Sequence, residues 1–321
     1  MGATSLHLLD VGGGLGVDYV GTGTGDPSSM NYSEQEYAND VIGAAEQACS
    51  DAGITPPDII TESGRAMVAH HSVLVFDVIG VNRDPSLDKP PACEEEDHPV
   101  LHALHEAVDG IAPDTLAESY HDLIARRDEA DSLFALGYLD LVGRAKSERL
   151  FRAGCQIIGA ILERLGETPG EFEDLRGFLT DTYFGNFSVF QSAPDAWAIK
   201  QVFPVMPIHR LDEEPNRRGI VVDLTCDSDG RIDRFIGNGN GSEQPTLPLH
   251  PWNGSPYFLG VFLIGAYQEI LGDLHNLFGD TDAVHVRLGE DGDYEVEHFV
   301  EGDGVNDVLS YVQYDLRSLS E

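Results

Sequence analysis

The N-terminal part of the chain alternates short apolar runs with glycine-rich segments, a pattern typical of βα units. Residues 6–11 (LHLLDV) predict a strand buried on both faces, which leads directly into the glycine-rich residues 12–16. Apolar positions at helical spacing follow over residues 33–53, and residues 58–61 (DIIT) predict a second buried strand that ends at residues 62–65 (ESGR). This order predicts one and a half βα units. Because an α/β domain cannot close on two strands, we expect the chain to start partway through a barrel or sheet.

The pattern changes twice along the rest of the chain. Residues 72–81 predict a long strand, and apolar residues between about 94 and 177 recur at helical spacing, which predicts a bundle of three or four helices. After Tyr183 short apolar runs separated by Gly, Asn and Asp predict a β-sandwich or β-barrel, finished by a short helix over residues 304–312. The predicted strands of this part are residues 187–190, 199–206, 219–224, 232–235, 257–264 and 283–288.

These patterns define an α/β plus β protein of three domains. Residues 1–82 hold the last strands of a barrel or sheet and the strand that leads out of it. Residues 93–180 form a helical insertion, and residues 183–321 form a C-terminal β domain with a terminal helix.

The charge balance excludes two classes of partner. The 321 residues include 56 Asp and Glu against 19 Lys and Arg, a formal net charge of −37. Such a surface repels nucleic acid phosphates and anionic lipids. Acidity with only three lysines also favours adaptation to concentrated salt, where screening shortens repulsion between surface charges, over an ordinary acidic enzyme.

Neither a membrane segment nor a disulfide framework is predicted. No run approaches 18 apolar residues, and the N-terminus lacks the pattern of a signal peptide, so we expect a soluble, cytoplasmic protein. The four cysteines are far apart without zinc-site spacing. Three of them (Cys49, Cys93 and Cys155) are expected to be buried or incidental.

Two loops could bind an anion. The glycines at 12–16 follow a strand end, where backbone N–H groups can cradle a phosphate, although a tight turn that needs positive φ explains them equally well. The dinucleotide fingerprint requires a glycine at the position of Val17, so that interpretation fails. Residues 62–65 follow the next strand, and in a barrel both loops open on the face where active sites lie. Taken alone, Glu62 and Arg65 are more simply a surface ion pair.

Three further candidates lie elsewhere. Residues 225–230 (TCDSDG) could bind a cationic substrate and handle a proton, or could be an acidic turn with a surface cysteine. Tyr267 could donate its phenol to a phosphate, but a lone tyrosine is more often part of a core. His70 and His71 lack a third ligand at usable spacing, and solvation explains them better.

Together and in order, these clusters resemble the biosynthetic arginine decarboxylases, relatives of the ornithine and diaminopimelate decarboxylases in the alanine-racemase-like class of pyridoxal-phosphate enzymes. The resemblance covers nearly the whole chain. The stretches that carry it are LDVGGGLGVDY (9–19), ITESGRAMVAHH (60–71), NFSVFQSAPDAWAIKQVFPVMP (186–207), LTCDSDG (224–230) and GAYQEILGDLHNLFGD (265–280). The resemblance implies the C-terminal part of a TIM-type (β/α) barrel, a helical-bundle insertion and a β-sandwich or Greek-key C-terminal domain.

The family also implies roles for individual residues around pyridoxal 5′-phosphate. The residues implied to hold the cofactor phosphate are Gly12, Gly13, Gly14, Gly64, Arg65 and Tyr267. Glu62 would face the pyridine nitrogen and keep it protonated. Cys226 is the candidate proton donor, and Asp227 would bind substrate from a neighbouring subunit, since the family builds each site across a dimer interface. Asp229 or Asp227 would contact the substrate guanidinium, for which a carboxylate is the apt partner. No metal ligand is assigned, and Mg²⁺ enters only as a property of the family.

The family's Schiff-base lysine and ring-stacking histidine belong to earlier barrel strands, which this chain lacks. Lys89 lies in a proline-rich loop, Lys146 on a charged helix and Lys200 in the segment AWAIKQVF, so none replaces that lysine convincingly. We therefore expect the C-terminal half of an enzyme that decarboxylates L-arginine to agmatine for polyamine biosynthesis, inactive alone. It is a truncated gene model, a split gene product that needs a separate N-terminal half, or an inactive remnant. The alternative is a non-catalytic regulatory or remnant homologue that pairs with a full-length decarboxylase. A decarboxylase for ornithine, lysine or diaminopimelate is disfavoured by the CDSDG turn and the helical insert.

Overall fold

The computed structural model describes residues 6–82, 90–165, 170–237 and 243–315. They form two compact units, one comprising residues 82–181 and the other the remainder of the chain. The predicted first and third domains lie in the same unit, so the boundary between them stays a prediction.

The larger unit contains the strands, except for the two end residues Asn82 and Asp181, and most of the short helices. Its strands are β1 (Leu8–Asp10), β2 (Asp58–Ile60), β3 (Leu74–Asn82), β4 (Asp181–Gly185), β5 (Val205–Pro207), β6 (Arg217–Val222), β7 (Arg231–Ile232), β8 (Phe235–Ile236), β9 (Glu243–Gln244), β10 (Leu247–Leu249), β11 (Phe258–Val261), β12 (Ala283–Leu288) and β13 (Tyr294–Val300). The α-helices of the described residues are α1 (Glu34–Ala52), α2 (Gly64–Val68), α3 (Pro99–Asp109), α4 (Leu116–Ala135), α5 (Leu141–Leu165), α6 (Glu173–Leu179), α7 (Val189–Ser192), α8 (Pro194–Ala198), α9 (Gln268–Leu271) and α10 (Val305–Tyr311).

The N-terminal βα unit folds as its pattern predicts. β1 and β2 pair in parallel, with Leu8 opposite Asp58, and α1 connects them. Ser33 begins α1 with a capping box, in which its hydroxyl accepts from the Glu36 N–H at 3.2 Å and the Glu36 carboxylate accepts from the Ser33 N–H at 2.8 Å. Gly53 ends the helix at a φ of +66°, a left-handed conformation that favours glycine.

The predicted burial of these two strands is wrong for this chain. Leu8 is 61 % exposed, Leu9 43 % and Ile60 41 %. A parallel strand is buried only when both faces of its sheet are covered. Among the described residues no third strand pairs with β1 or β2, and α1 buries only Cys49.

The second sheet of this unit is enclosed by its own chain. Its seven strands follow the order β10-β6-β4-β3-β11-β5, with β7 pairing with β6. β11 runs antiparallel to both β3 and β5, and Leu259 and Phe76 lie opposite each other in the core. The rings of Phe76 and Phe187 stack at 4.2 Å beside Gly185, where a Cβ would lie 2.6 Å from the Phe76 ring.

Several short strands of the C-terminal part differ from the prediction. Residues 187–190 do not form a strand, because the buried Asp223 carboxylate accepts from the Val189 N–H at 2.8 Å and α7 starts there. Of residues 199–206 only the end is a strand, since Lys200 has a φ of +56° and breaks the extended run. Residues 232–235 divide between β7 and β8, whereas β12 and α10 lie where they are predicted. Residues 237–241 (GNGNG), one of the glycine- and asparagine-rich turns predicted between these strands, lie outside the described residues except for Gly237.

The described part of residues 82–181 contains four α-helices around an apolar core. The Arg127 guanidinium lies over the Phe151 ring at 4.5 Å, and Cys155 is fully buried. Burial raises the pKa of the Cys155 thiol to about 12, so this cysteine is inert in the folded protein. Within the part of the chain that the structure describes, no helix is long and apolar enough to cross a membrane.

Candidate active site

The glycine loop and the Glu62 loop lie side by side at the ends of their strands. The Glu62 N–H donates to the Gly12 carbonyl at 2.9 Å, extending the contact between β1 and β2 by one step. Gly12 and Gly14 have φ values of +75° and +93°, and a Cβ at either would meet open space. A Cβ at Gly13 would lie 3.0 Å from the Glu62 carbonyl oxygen. The glycines are therefore required both for the backbone conformation and for the close approach of the two loops.

Arg65 connects these loops with Tyr267. Its Nη1 donates to the Tyr19 hydroxyl at 2.9 Å, and its guanidinium lies over the Tyr267 ring at 4.8 Å. Among the described residues no carboxylate forms an ion pair with Arg65, although the chain holds 56 Asp and Glu. A half-buried arginine held by two tyrosines in so acidic a chain keeps its charge available for an anionic ligand. The surface ion pair considered for Glu62 and Arg65 is absent from this part of the structure.

The position of Tyr267 is fixed by the backbone around it. The Gly265 N–H donates to the Ala69 carbonyl at 3.1 Å, so the segment after β11 lies directly against the end of α2. Tyr267 itself has a φ of +72°, and its ring is 44 % exposed rather than part of the core. The next residue, Gln268, is buried and bonds Asp195 twice, through its oxygen at 3.0 Å and its nitrogen at 2.8 Å. The hydrogen bonds between Gln268 and Asp195 therefore hold the strained backbone of Tyr267 in place.

The acidic turn forms a second group of contacts. Cys226 is exposed, and its backbone N–H donates to Oδ1 of Asn276 at 3.0 Å. One oxygen of Asp227 accepts from the Asp229 N–H at 2.9 Å, and the other lies 3.6 Å from Nε2 of His275.

A buried carboxylate supports this turn from below. The side chain of Asp223 accepts from the N–H and the hydroxyl of Thr225 at 2.8 and 2.7 Å. A Cβ at Gly230 would collide with the same carboxylate, which explains the glycine that closes the turn. The conformation of the turn is therefore determined by a buried carboxylate, which an ordinary exposed acidic loop lacks.

Sequence reasoning missed Tyr19, His275 and Asn276. Tyr19 lies within the glycine-rich motif and is 4 % exposed, but a buried tyrosine in a loop is ordinarily explained by packing. His275 and Asn276 lie in the stretch that also carries Tyr267, and a local pattern could not reveal that they face a turn some fifty residues earlier in the sequence.

The remaining candidates have other partners. Lys146 forms an ion pair with Asp97, and the backbone carbonyl of Lys200 accepts a hydrogen bond from Arg234. Lys89 lies outside the described residues. Nδ1 of His71 lies 2.6 Å from the Val68 carbonyl oxygen. In the described ranges no three His, Cys, Asp or Glu side chains are grouped to hold a metal ion, so Mg²⁺ stays a prediction of the family alone.

Two family models match the sequence. The pyridoxal binding domain of the pyridoxal-dependent decarboxylases matches residues 1–69, which include β1, the glycine loop and Arg65. The arginine decarboxylase helical bundle domain matches residues 94–176.

Individual relatives extend the match to nearly all of the chain. The biosynthetic arginine decarboxylase of Thermosynechococcus vestitus is 51% identical over 99% of this chain and 49% of its own length. That of Nostoc sp. is 50% identical over 99% of this chain and 46% of its own length. The crystal structure of the biosynthetic arginine decarboxylase from Campylobacter jejuni superimposes with a TM-score of 0.81 at 34% identity, covering 99% of this chain and 51% of that one. By sequence and by fold, this chain therefore belongs with the biosynthetic arginine decarboxylases, about half of whose length it spans.

Proposed function

We propose that this chain supplies part of the active site of a pyridoxal phosphate-dependent enzyme that decarboxylates L-arginine to agmatine and carbon dioxide, as a step of polyamine biosynthesis. The observation that carries the proposal is Arg65, a half-buried cation for which the described residues offer no carboxylate partner, beside a glycine loop with open space before it. The relatives named as arginine decarboxylases, about 50% identical, supply the reaction.

The Arg65 group fits a phosphate. The residues that would hold the phosphate of pyridoxal 5′-phosphate are the backbone of Gly12, Gly13, Gly14 and Gly64, the guanidinium of Arg65 and the hydroxyl of Tyr267. An arginine can fork onto two phosphate oxygens, and positive-φ glycines leave room for the anion to approach the backbone. The cation–π contact holds the guanidinium in one orientation before the anion arrives.

Other residues have roles that follow from their chemistry. Pyridoxal phosphate, when bound, accepts the electron pair that the departing carboxylate leaves on the substrate carbon. The exposed Glu62 carboxylate would hold the proton on the pyridine nitrogen. Cys226 would return a proton to that carbon, and Asp227 or Asp229 would bind the guanidinium of arginine.

The exposed sheet of β1 and β2 fits an enzyme completed by further polypeptide. The relatives are about twice as long as this chain, and their additional sequence is the proposed source of the covalent lysine and of the strands that would cover Leu8 and Leu9. A TIM-type barrel would then be completed, and the acidic turn would serve the site of a neighbouring subunit in a homo-oligomer.

The proposal is tested by reconstitution. This chain is co-expressed with the segment that corresponds to the other half of the relatives, and release of carbon dioxide from carboxyl-labelled arginine is measured. After borohydride reduction, mass spectrometry should find the cofactor on the added segment and not on Lys146 or Lys200. Arg65→Gln should weaken binding of pyridoxal phosphate by about 10-fold or more, whereas Arg231→Gln, on an exposed pair with Asp233, should not.

Each alternative outcome is distinct. Equal cofactor affinity of the Arg65→Gln variant and the wild type would overturn the assignment of the phosphate site. A complex that releases no carbon dioxide, but alters the rate of a full-length arginine decarboxylase, would establish the regulatory homologue instead.

A further inference from the structure

A strained turn faces Cys226 and Asp227, the two residues to which the proposed function gives proton transfer and substrate binding. Residues 275–278 form a tight turn in which the Phe278 N–H donates to the His275 carbonyl at 3.2 Å. Its central residues, Asn276 and Leu277, have φ values of +54° and +63°. Two consecutive positive φ values are typical of a type I′ turn.

The strain of this turn is not explained by burial of its tip. Left-handed backbone is unfavourable for a leucine, and Asn tolerates it better. Leu277 is 53 % exposed, so its side chain gains little from packing there. The turn is instead held at its base, where the His275 ring stacks on Phe190 at 4.1 Å and the Asp273 N–H donates to the Phe190 carbonyl at 3.0 Å. Strain of this kind is commonly kept where it positions functional groups.

Each polar side chain of the turn contacts a different residue of the acidic turn. Oδ1 of Asn276 accepts from the backbone N–H of Cys226 at 3.0 Å and so fixes the backbone position from which the Cys226 thiol extends. Nε2 of His275 lies 3.6 Å from one oxygen of Asp227, while the other oxygen accepts from the Asp229 N–H at 2.9 Å. The Asp227 carboxylate is therefore held on both oxygens, by its own turn and by His275.

We propose that His275 and Asn276 are positioning residues of the decarboxylase, Asn276 for the proton donor Cys226 and His275 for the substrate-binding carboxylate Asp227. The proposal rests on the proposed function, because it assigns positions to groups of that reaction. The two positioning roles have different kinetic consequences. Loss of the His275 contact should weaken arginine binding, whereas loss of the Asn276 contact should slow the chemical step.

The kinetic test uses the reconstituted complex. His275→Phe keeps a ring on Phe190 and removes the contact to Asp227, and it should raise KM for arginine about 10-fold with kcat within about 2-fold of the wild type. Asn276→Gly keeps the left-handed backbone without the acceptor and should lower kcat about 10-fold at similar KM. Asn276→Asp restores the acceptor and should recover kcat. Gln313→Gly, at another left-handed amide residue, is the matched control and should change neither constant.

A second measurement does not depend on activity. Cys226 is exposed, Cys93 is half-buried, and Cys49 and Cys155 are buried. The difference in alkylation between the folded chain and its Cys226→Ser variant therefore reports on Cys226. Asn276→Gly should change the alkylation rate by about 3-fold or more, and Asn276→Asp should return it to the wild-type value.

The outcomes separate the two proposals. A wild-type complex that decarboxylates arginine, with both variants unchanged in KM, kcat and alkylation rate, overturns the positioning roles and leaves the function intact. A uniform loss of kcat in both variants without rescue by Asn276→Asp also overturns them, since it indicates only a damaged fold. If the wild-type complex releases no carbon dioxide, the proposed function fails, and the alkylation rates alone decide the role of Asn276.

Discussion

The two sheets that carry the candidate site differ in how fully this chain encloses them. β11 lies between β3 and β5, and Leu259 on it is fully buried. β1 and β2 also consist mostly of apolar residues, yet Leu9 in the middle of β1 is 43 % exposed. A parallel strand is buried only where both faces of its sheet are covered, so the difference shows which of the two sheets this chain leaves open.

The candidate phosphate site lies where these two sheets meet. Arg65 follows β2, whereas Tyr267 follows β11, and the guanidinium lies on the tyrosine ring at 4.8 Å. Tyr267, which follows the enclosed sheet, therefore fixes the position of Arg65, which follows the exposed sheet. Four predictions test how far this difference in enclosure governs stability.

The largest expected effect comes from removing one leucine from each sheet. Leu259→Ala should lower the free energy of unfolding by about 2–5 kcal/mol, because it leaves a cavity in a closed core. Leu9→Ala should cost less than about 1 kcal/mol in this chain, because nearly half of Leu9 is in water already. Urea unfolding followed by tryptophan fluorescence measures both, since Trp197 and Trp252 lie in the larger unit. Equal losses would show that the exposed sheet is as well packed as the enclosed one.

The contact between the sheets can be broken at one glycine. A Cβ at Gly265 would overlap the Val68 carbonyl oxygen and the ring of His71. Because backbone must move, Gly265→Ala should cost about 1–3 kcal/mol and separate Tyr267 from Arg65. Gly80→Ala is the matched control in β3, where the nearest atom to a Cβ is 3.8 Å away. Urea unfolding compares the two variants, and a neutral Gly265→Ala would contradict this close approach.

Local sequence signals predicted the parts of the fold that local physics determines. The capping box at Ser33, the strand β3 and the hairpin strand β12 follow from periodicity and capping residues alone. The strand at 187–190 failed because the buried carboxylate of Asp223 caps that backbone from a distant part of the sequence. In the site, only the placement of the glycine loop and of Arg65 at the ends of neighbouring strands was predictable from the sequence. Tyr19 and His275 were not, because their partners lie far away in sequence.

A smaller effect is expected from the hydroxyl that holds Arg65. Tyr19→Phe removes the acceptor of Nη1 but keeps the ring packed edge-on against Phe203 at 5.6 Å. We expect a loss of about 1–2 kcal/mol, as for a hydrogen bond to a charged donor. Tyr37→Phe is the control, since in the described residues the Tyr37 ring only stacks on Tyr32. Chemical denaturation measures both, and an equal change in the two variants would show that the Tyr19 hydroxyl does not hold Arg65.

The smallest effect concerns charge repulsion in the loop before β12. Burial, followed by the negative charges of Asp303 and Glu269, raises the pKa of the Asp280 carboxyl. A carboxyl with a raised pKa in the folded state stabilises the fold when protonated, and this contribution is lost as the pH rises through that pKa. Asp280→Asn imitates the protonated form and still accepts from Nε2 of Gln191. It should therefore stabilise the protein at pH 7 by up to about 0.5 kcal/mol, with a gain that shrinks at acid pH. Thermal melts at pH 7 and at an acid pH measure this gain. Asp233→Asn, which breaks an ion pair with Arg231, should not stabilise at all, and an equal gain in both variants would mean that only the net charge matters.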